Sequence, residues 1–572
     1  MSPNEAALRE PESWSERKEI SPPPALEEVR EAGVASPPPA PAAPPAFVPK
    51  SAMLTLVYIM TGVLLALTQG LGLSFISTNL QQIAGPMDLT QTEATWLMAA
   101  YLFPNASLTL LLFKVRAQYG LRNFAEAAIA VYVLVCVGHL WVGDFNSNLA
   151  MRFVAGAAAA PISSLAFLYI LEPIPPQRKL NVGLCIALTA LALPTPVTGL
   201  MSPSLLDLGD YHALYLVEMG VAMISLALVY LLPLNSVPRA KVISGLDIVS
   251  YLFLAVGLGS FAVALTVGRI YWWTNADWLA WLIITGIVSS LIFAVIELNR
   301  KTHLVDIRWV TSQEILHFTG ALLVFRVALS EQSSGAVAFL RNLGMLNEQI
   351  AGIYWVIIIA AVISGALCAL IMKPGREPMI HAGALLLLAV GAYMDSQSTI
   401  LTRPEQMYAS QLLVSFASGL FLPPALAIGM GAALKRGPSY ILSFLIVFLV
   451  TQKVGGYLGS ALYGTFVTWR EQFHSVRLVS DLASTDPQVA QRLRQLVGAY
   501  ARVLTDPTQQ TTQGAVLLAR QVQQQAYALA YNDSFLLTTY MALLALACLL
   551  IHVAWRNRAR FTLSRQAAAA AA

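Results

Sequence analysis

Residues 151–170 read MRFVAGAAAAPISSLAFLYI, and after a short basic turn, PPQRKL at 175–180, residues 181–200 read NVGLCIALTALALPTPVTGL. Arg152 opens a run that is otherwise apolar and of membrane-span length. A charge there is costly unless it meets a partner or a water-filled cavity. Gly156, four residues on, falls on the same helix face and begins a run of small residues. Such a run suits close approach of helices inside a membrane. In the next apolar run Pro194, Pro196 and Gly199 interrupt a helix, and only packing against neighbouring protein repairs the hydrogen bonds that proline removes. A charge on one helix with a broken helix beside it points to a translocation path rather than a passive anchor.

Composition sets the same frame. The chain has 572 residues, 57% hydrophobic and 12% charged, with mean hydropathy +0.64. Soluble domains carry about twice that share of charge. The basic residues sit at the ends of apolar runs, so the net charge of +4 does not imply nucleic-acid binding. Cys136, Cys185, Cys368 and Cys548 are isolated within apolar runs and read as small hydrophobes rather than disulfide or metal residues. No CxxC, HExxH, P-loop or GxSxG pattern occurs, so neither ATP-driven transport by this chain nor an enzyme is expected.

Residues 1–50 are rich in Pro, Ala and Glu, have no signal-peptide pattern, and read as a disordered tail. Fourteen apolar spans follow, at about 52–76, 91–113, 123–142, 149–171, 181–202, 212–233, 246–268, 277–297, 315–338, 350–372, 378–396, 407–433, 438–465 and 534–555. Each is close to the roughly 20 residues a helix needs to cross a bilayer. One alternate set of connections carries Lys114, Arg116, Arg122, Arg178, Lys179, Arg239, Lys241, Arg300, Lys301, Arg308, Lys373, Arg376, Lys435 and Arg436. The other short connections carry only Arg269, Arg341 and Arg403. Positive charge marks the cytoplasmic side, which places both termini inside, with a tail at 557–572. Period-2 strands are absent, which excludes a closed barrel. The connection 466–533 is long, and Asp486-Pro487 reads as the start of a helix within it. This segment either contacts a partner or caps the outer mouth.

With the spans placed, the chain resembles the major facilitator superfamily, specifically its fourteen-helix drug:proton antiporter-2 branch, over about residues 50–560. Met151 to Gly156 resembles the arginine-and-glycine motif of helix 4, and Thr195-Pro196-Val197-Thr198-Gly199 a worn form of the helix 5 antiporter motif. Thr95-Trp96 with Tyr101 and Asn105 resembles the start of helix 2. Gly455-Gly456-Tyr457-Leu458-Gly459 followed by Trp469-Arg470-Glu471 resembles helix 13 and its exit, and Ala526 to Phe535 the approach to helix 14. The chain departs from the pattern in three places. Phe113 and Ala117 stand where the loop after helix 2 normally has a glycine and an acid. Gly72 stands where helix 1 normally has an acid, and Leu200 replaces the second glycine of helix 5.

The resemblance implies an all-α polytopic fold. A six-helix bundle at 51–235 and another at 310–556, which includes the external segment 466–533, flank two linker helices at 236–309. Substrate binds between the bundles, with Tyr101 and Asn105 on helix 2 among the expected binding residues. Gly156, Pro194, Pro196, Gly199, Gly455 and Gly456 serve packing and the antiporter motif. The implied activity is export of amphipathic, aromatic or organic-acid compounds from the cytoplasm in exchange for protons. The implied location is a bacterial inner membrane, with lipid around the helices. No cofactor beyond the proton gradient is implied. A periplasmic adaptor and an outer-membrane channel are the implied partners.

Without the helix 1 acid, other ionisable residues in the spans become candidates. Arg152, Glu218, Glu331 and Asp395 are the proton-coupling candidates, and Arg326 and Lys453 at mid-depth favour an anionic substrate. Glu218 is expected opposite Arg152. Arg326 and Glu331 lie about 140° apart round a helix and need separate partners, one of which Lys453 can supply. A proton-coupled importer, or a sensor or scaffold that has lost coupling, remains open on sequence alone.

Overall fold

The computed structural model describes residues 49–571, apart from 207–210, 236–238, 240, 301–302 and 483–484. The Pro-rich tail expected at 1–50 lies almost wholly outside the described residues. Among those residues the regular structure is helical and no strand occurs.

The first half contains α1 (Ala52–Thr78), α2 (Gln91–Tyr119), α3 (Leu121–His139), α4 (Phe145–Leu171), α5 (Pro176–Leu206) and α6 (His212–Leu231). Two further helices follow, α7 (Gly245–Tyr271) and α8 (Asp277–Leu298). Then come α9 over 313–342, α10 (Asn347–Ile371), α11 (Glu377–Asp395), α12 (Tyr408–Arg436), α13 (Pro438–Ser480), α14 (Pro487–Gly498) and α15 (Pro507–Ala571). Local chemistry sets several of the starts. Ser51 accepts from the amide of Leu54, and Thr90 and Glu93 close a capping box on α2. Asp144 accepts from the amide of Ser147, and its hydrogen bonds with Ser147 hold its carboxyl below the ordinary aspartate range. Asp486 caps α14, with Pro487 at the first helical position.

Twelve helices among the described residues are long and apolar enough to cross a membrane. Two expected spans behave differently. The span expected at 315–338 is broken within α9, where an α-helical run of 16 residues, Gln313–Ala328, gives way to a π-helical turn at Glu331–Ala336. The span expected at 438–465 belongs to α13, which runs on without a break to Ser480. The chain therefore leaves its apolar zone as helix where a loop was expected from residue 466. α15 is likewise continuous over 65 residues. Arg470 on α13 donates to Asp533 on α15 at 2.6 Å, and His474 Nε2 lies 2.7 Å from the same oxygen, so the two long helices are tied together.

α1 packs on α4, α5 and α6, α2 on α4, and α3 on α6. α11 packs on α12 and α15, α10 on α12, and α13 on α9 and α15. These groups meet where α5 lies along α10 and where α2 approaches α13. α7 bridges them by packing on both α2 and α13. Close approach depends on small residues. A Cβ added at Gly156 would stand 2.0 Å from the backbone oxygen of Tyr101, so α4 and α2 touch backbone to backbone there.

Candidate functional site

Arg152 and Glu218 enter one pocket from α4 and α6, and both meet α1 at Gly72. Arg152 is fully buried, and its Nη1 donates to the Gly72 carbonyl at 2.8 Å. Its guanidinium lies 4.8 Å from the centre of the Tyr215 ring. Glu218 is buried, and its Oε1 accepts from the Tyr132 hydroxyl at 2.7 Å. Cys136 approaches the same oxygen at 3.8 Å. A Cβ at position 72 would meet Glu218 Oε1 at 2.8 Å and the Tyr132 hydroxyl at 2.9 Å. The carboxyl from α6 therefore occupies the space that a side chain on α1 would need. The expected facing of Arg152 and Glu218 takes a specific form. They share the pocket, each against Gly72 of α1, and no direct ion pair joins them.

A second buried group forms at the other half. Glu331 lies at the start of the π-helical turn of α9, and Asp395 at the last residue of α11. Both are buried, and their carboxyls come within hydrogen-bonding reach of each other. Gln411 on α12 has its amide nitrogen 2.7 Å from Asp395 Oδ2 and 3.1 Å from Glu331 Oε1. Ser410 donates to Asp395 Oδ1. The expectation that Lys453 supplies the partner of Arg326 or Glu331 does not hold among the described residues, since the neighbours of Glu331 are a second acid and an amide and Lys453 turns elsewhere. Glu331 stands where α9 has left its α-helical course after Ala328 and enters the π turn, and azimuth decides which helix a side chain meets.

Lys453 on α13 instead crosses to α2. Its Nζ donates to the Asn105 carbonyl at 2.8 Å and to Thr109 Oγ1 at 3.2 Å. Asn105 is itself committed, donating from Nδ2 to the Gly156 carbonyl at 3.0 Å. Tyr101 is buried, with its hydroxyl 3.3 Å from the Gln69 carbonyl. Both residues thus sit in the α1–α2–α4 packing. Arg326 lies along α13 in the room left by two glycines. A Cβ at Gly455 would meet its Cγ at 2.9 Å, and one at Gly456 its Nη2 at 3.1 Å. Arg326 is half-buried and has no ion pair among the described residues.

The broken helix α5 is packed on both sides. Pro194 and Pro196 are buried, and a Cβ at Gly70 of α1 would strike the Pro194 ring at 2.2 Å. Gly199 gives way to Tyr354 of α10, whose ring lies 2.3 Å from where a Cβ would stand. Near that end a polar chain crosses between the halves. Asn79 Nδ2 donates to Ser202 at 2.8 Å, and Asn347 Nδ2 donates to Asn79 Oδ1 at 2.9 Å. Arg341 donates to Asn347 Oδ1 at 2.9 Å and to the Tyr354 hydroxyl at 3.1 Å.

At the start of α7, Asp247 caps the helix with Ser244 and binds Lys114 of α2 and Arg300, each at 2.6 Å. Arg300 also donates to Glu297 at 2.9 Å. Lys114, near the end of α2, thus meets an acid at the start of α7. Gln411, Tyr132, Asn79 and Asn347 were not among the sequence candidates. Their signal was polarity at span ends and interiors without charge.

Among solved structures, the chain is similar to the major facilitator proton:xylose symporter XylE bound to 6-bromo-6-deoxy-D-glucose, with TM-score 0.49, 14% identity, and 86% of this chain and 95% of that chain covered. It is similar to the human organic anion transporter MFSD10 (TETRAN), with TM-score 0.49, 13% identity, and 86% and 100% covered. It is also similar to a bacterial homologue of the human lysosomal transporter Spinster, with TM-score 0.47, 14% identity, and 88% and 97% covered. No family model and no curated protein sequence matches the chain.

Proposed function

We propose that this chain is a fourteen-span secondary active transporter of the major facilitator type. Its two six-helix bundles, 51–235 and 310–556, rock about a midplane site. It exports amphipathic aromatic or organic-acid compounds from the cytoplasm in exchange for protons, with both termini cytoplasmic. The observation that carries this reading is the convergence of Arg152 and Glu218 on Gly72. A buried carboxyl beside a buried cation, both set against the backbone of a third helix, is an arrangement whose balance changes when that helix moves. Motion of α1 relative to α4 and α6 would bring the cation nearer to the acid or take it away, and so load or release a proton. Twelve long apolar helices and the α5–α10 and α2–α13 seams between halves fit the same reading. Arg326, without an ion pair among the described residues and lying against Gly455 and Gly456, is the residue proposed to attract an anionic substrate.

The outer part of α13 presents Trp469, Phe473 and Val476 to its surroundings, and this is the surface proposed to meet a periplasmic adaptor serving an outer-membrane channel. The test is growth inhibition by dyes, antibiotics and aromatic acids in cells lacking or overproducing the chain. Arg152→Ala and Glu218→Gln are the controls at matched expression. Protection that disappears in both variants is expected, with substrate-driven proton flux in vesicles of the intact protein. Protection unchanged in both would remove the proposed coupling site, and accumulation of substrate in place of export would make the chain an importer.

A further inference from the structure

The group formed by Glu331, Asp395 and Gln411 has an acceptor too many. Ionised carboxylates only accept hydrogen bonds. Gln411 gives N–H donors to one oxygen of each acid, and Ser410 gives a third donor to Asp395. Glu331 Oε2 and Gln411 Oε1 are left with no donor among the described residues, although both residues are 0% exposed. Two buried negative charges side by side without a cation are expensive. A single proton eases both costs at the acid pair, since it removes one charge and turns an acceptor–acceptor contact into a hydrogen bond.

We propose that Glu331 and Asp395 form a one-proton binding site, with the proton carried on Glu331 Oε2 and donated to the Asp395 carboxylate. Asp395 is the better anion because two side chains donate to it, against one for Glu331. The proton comes from water and forms an O–H bond on Glu331, and the pair passes from two negative charges to one. The groups facing the pair from the packed elements are Gln411 and Ser410 of α12, and Tyr463 of α13, whose hydroxyl borders Gly335 one turn along α9. No lysine, arginine or histidine bonds to either acid among the described residues. A sodium ion is a poor occupant, because the Gln411 amide points its N–H groups at both carboxylates. Glu331 opens the π turn, and such turns are enriched at functional sites. This site is separate from Glu218, which lies among α1, α3, α4 and α6. That it serves as a second proton store in transport rests on the proposed function, whereas proton binding itself does not.

Infrared spectroscopy of the purified full-length protein tests the site without any substrate. Spectra near neutral and at alkaline pH are compared in a Glu218→Gln background, so that Glu218 contributes no acid signal. A protonated-carboxyl band near neutral pH is expected. Glu331→Gln should abolish it, and Asp395→Asn should shift it, because the acceptor changes from carboxylate to amide. A band that is absent, that survives Glu331→Gln, or that sodium removes at constant pH would overturn the proposal. If Glu331→Gln does not fold, Asp395→Asn decides alone, with an unshifted band counting against the site. Failure of the unsubstituted protein to transport, with this band present in the Glu218→Gln background, would reject the proposed function and leave the proton site standing.

Discussion

Glu218 Oε1 lies 2.8 Å from where a Cβ on Gly72 would stand. The acid that the resemblance places on helix 1 thus finds its space already filled from helix 6. Gly72→Ala should cost about 1–3 kcal/mol through overpacking and lower transport at matched expression. Glu218→Ala should abolish coupled transport, and Gly72→Asp combined with Glu218→Ala should restore part of it. Measuring proton-driven flux for the single and double variants checks the relationship. If the double variant is no better than Glu218→Ala, the two positions do not share one role.

Arg326 and Lys453 should separate by substrate charge. Arg326 has no ion pair among the described residues, so Arg326→Ala should raise the half-saturating concentration of anionic substrates at least severalfold and leave neutral ones unchanged. Lys453 holds α13 to α2, so Lys453→Ala should impair both classes alike. Charged hydrogen bonds of this kind contribute about 1.5–3 kcal/mol. Competition assays with matched neutral and anionic aromatic compounds distinguish the two patterns.

Gly156 stands against backbone, since a Cβ added there would lie 2.0 Å from the Tyr101 carbonyl oxygen. Backbone cannot rotate away as a side chain can. Gly156→Ala should therefore lower thermal stability by several kelvin or prevent accumulation, whereas alanine at Gly220, with nothing within 4 Å, should be silent. Size-exclusion and thermal-shift measurements in detergent report both.

Asn347 joins α10 to Asn79, at the end of α1, through a single 2.9 Å hydrogen bond between halves. Its removal in Asn347→Ala should withdraw about 1 kcal/mol, equivalent to a roughly fivefold change in the balance of open and closed forms. Labelling of a cysteine introduced at Ser202 should become correspondingly faster. An unchanged rate in Asn347→Ala would show that this polar chain does not hold the halves together.

Twelve of the fourteen expected spans were legible because a bilayer demands about 20 apolar residues per crossing, whatever those residues touch. The height of neighbouring charges along the spans was legible too, as Glu218 and Arg152 share one pocket at Gly72. Azimuth was not. The partner of Glu331 is Asp395, 64 residues away, and α9 leaves its α-helical course after Ala328 and enters a π segment at Glu331 that no local motif announces. The crossing of Lys453 to Asn105 depends on how the halves are seated, which neither span carries in its own sequence. Reading only charged residues also passed over Gln411 and Asn347, whose neutral amides make the decisive bonds.

The unbroken course of α15 has a mechanical meaning. From Pro507 to Arg556 it spans 50 residues, about 75 Å of one rod. Pivoted at Asp533, a tilt of about 5° displaces either end of the rod by roughly 3 Å. Asp533 clamps this rod to α13 partway along, through Arg470 and His474. The clamp makes a fulcrum, so a push on the far segment around α14 reaches the membrane-embedded half as leverage.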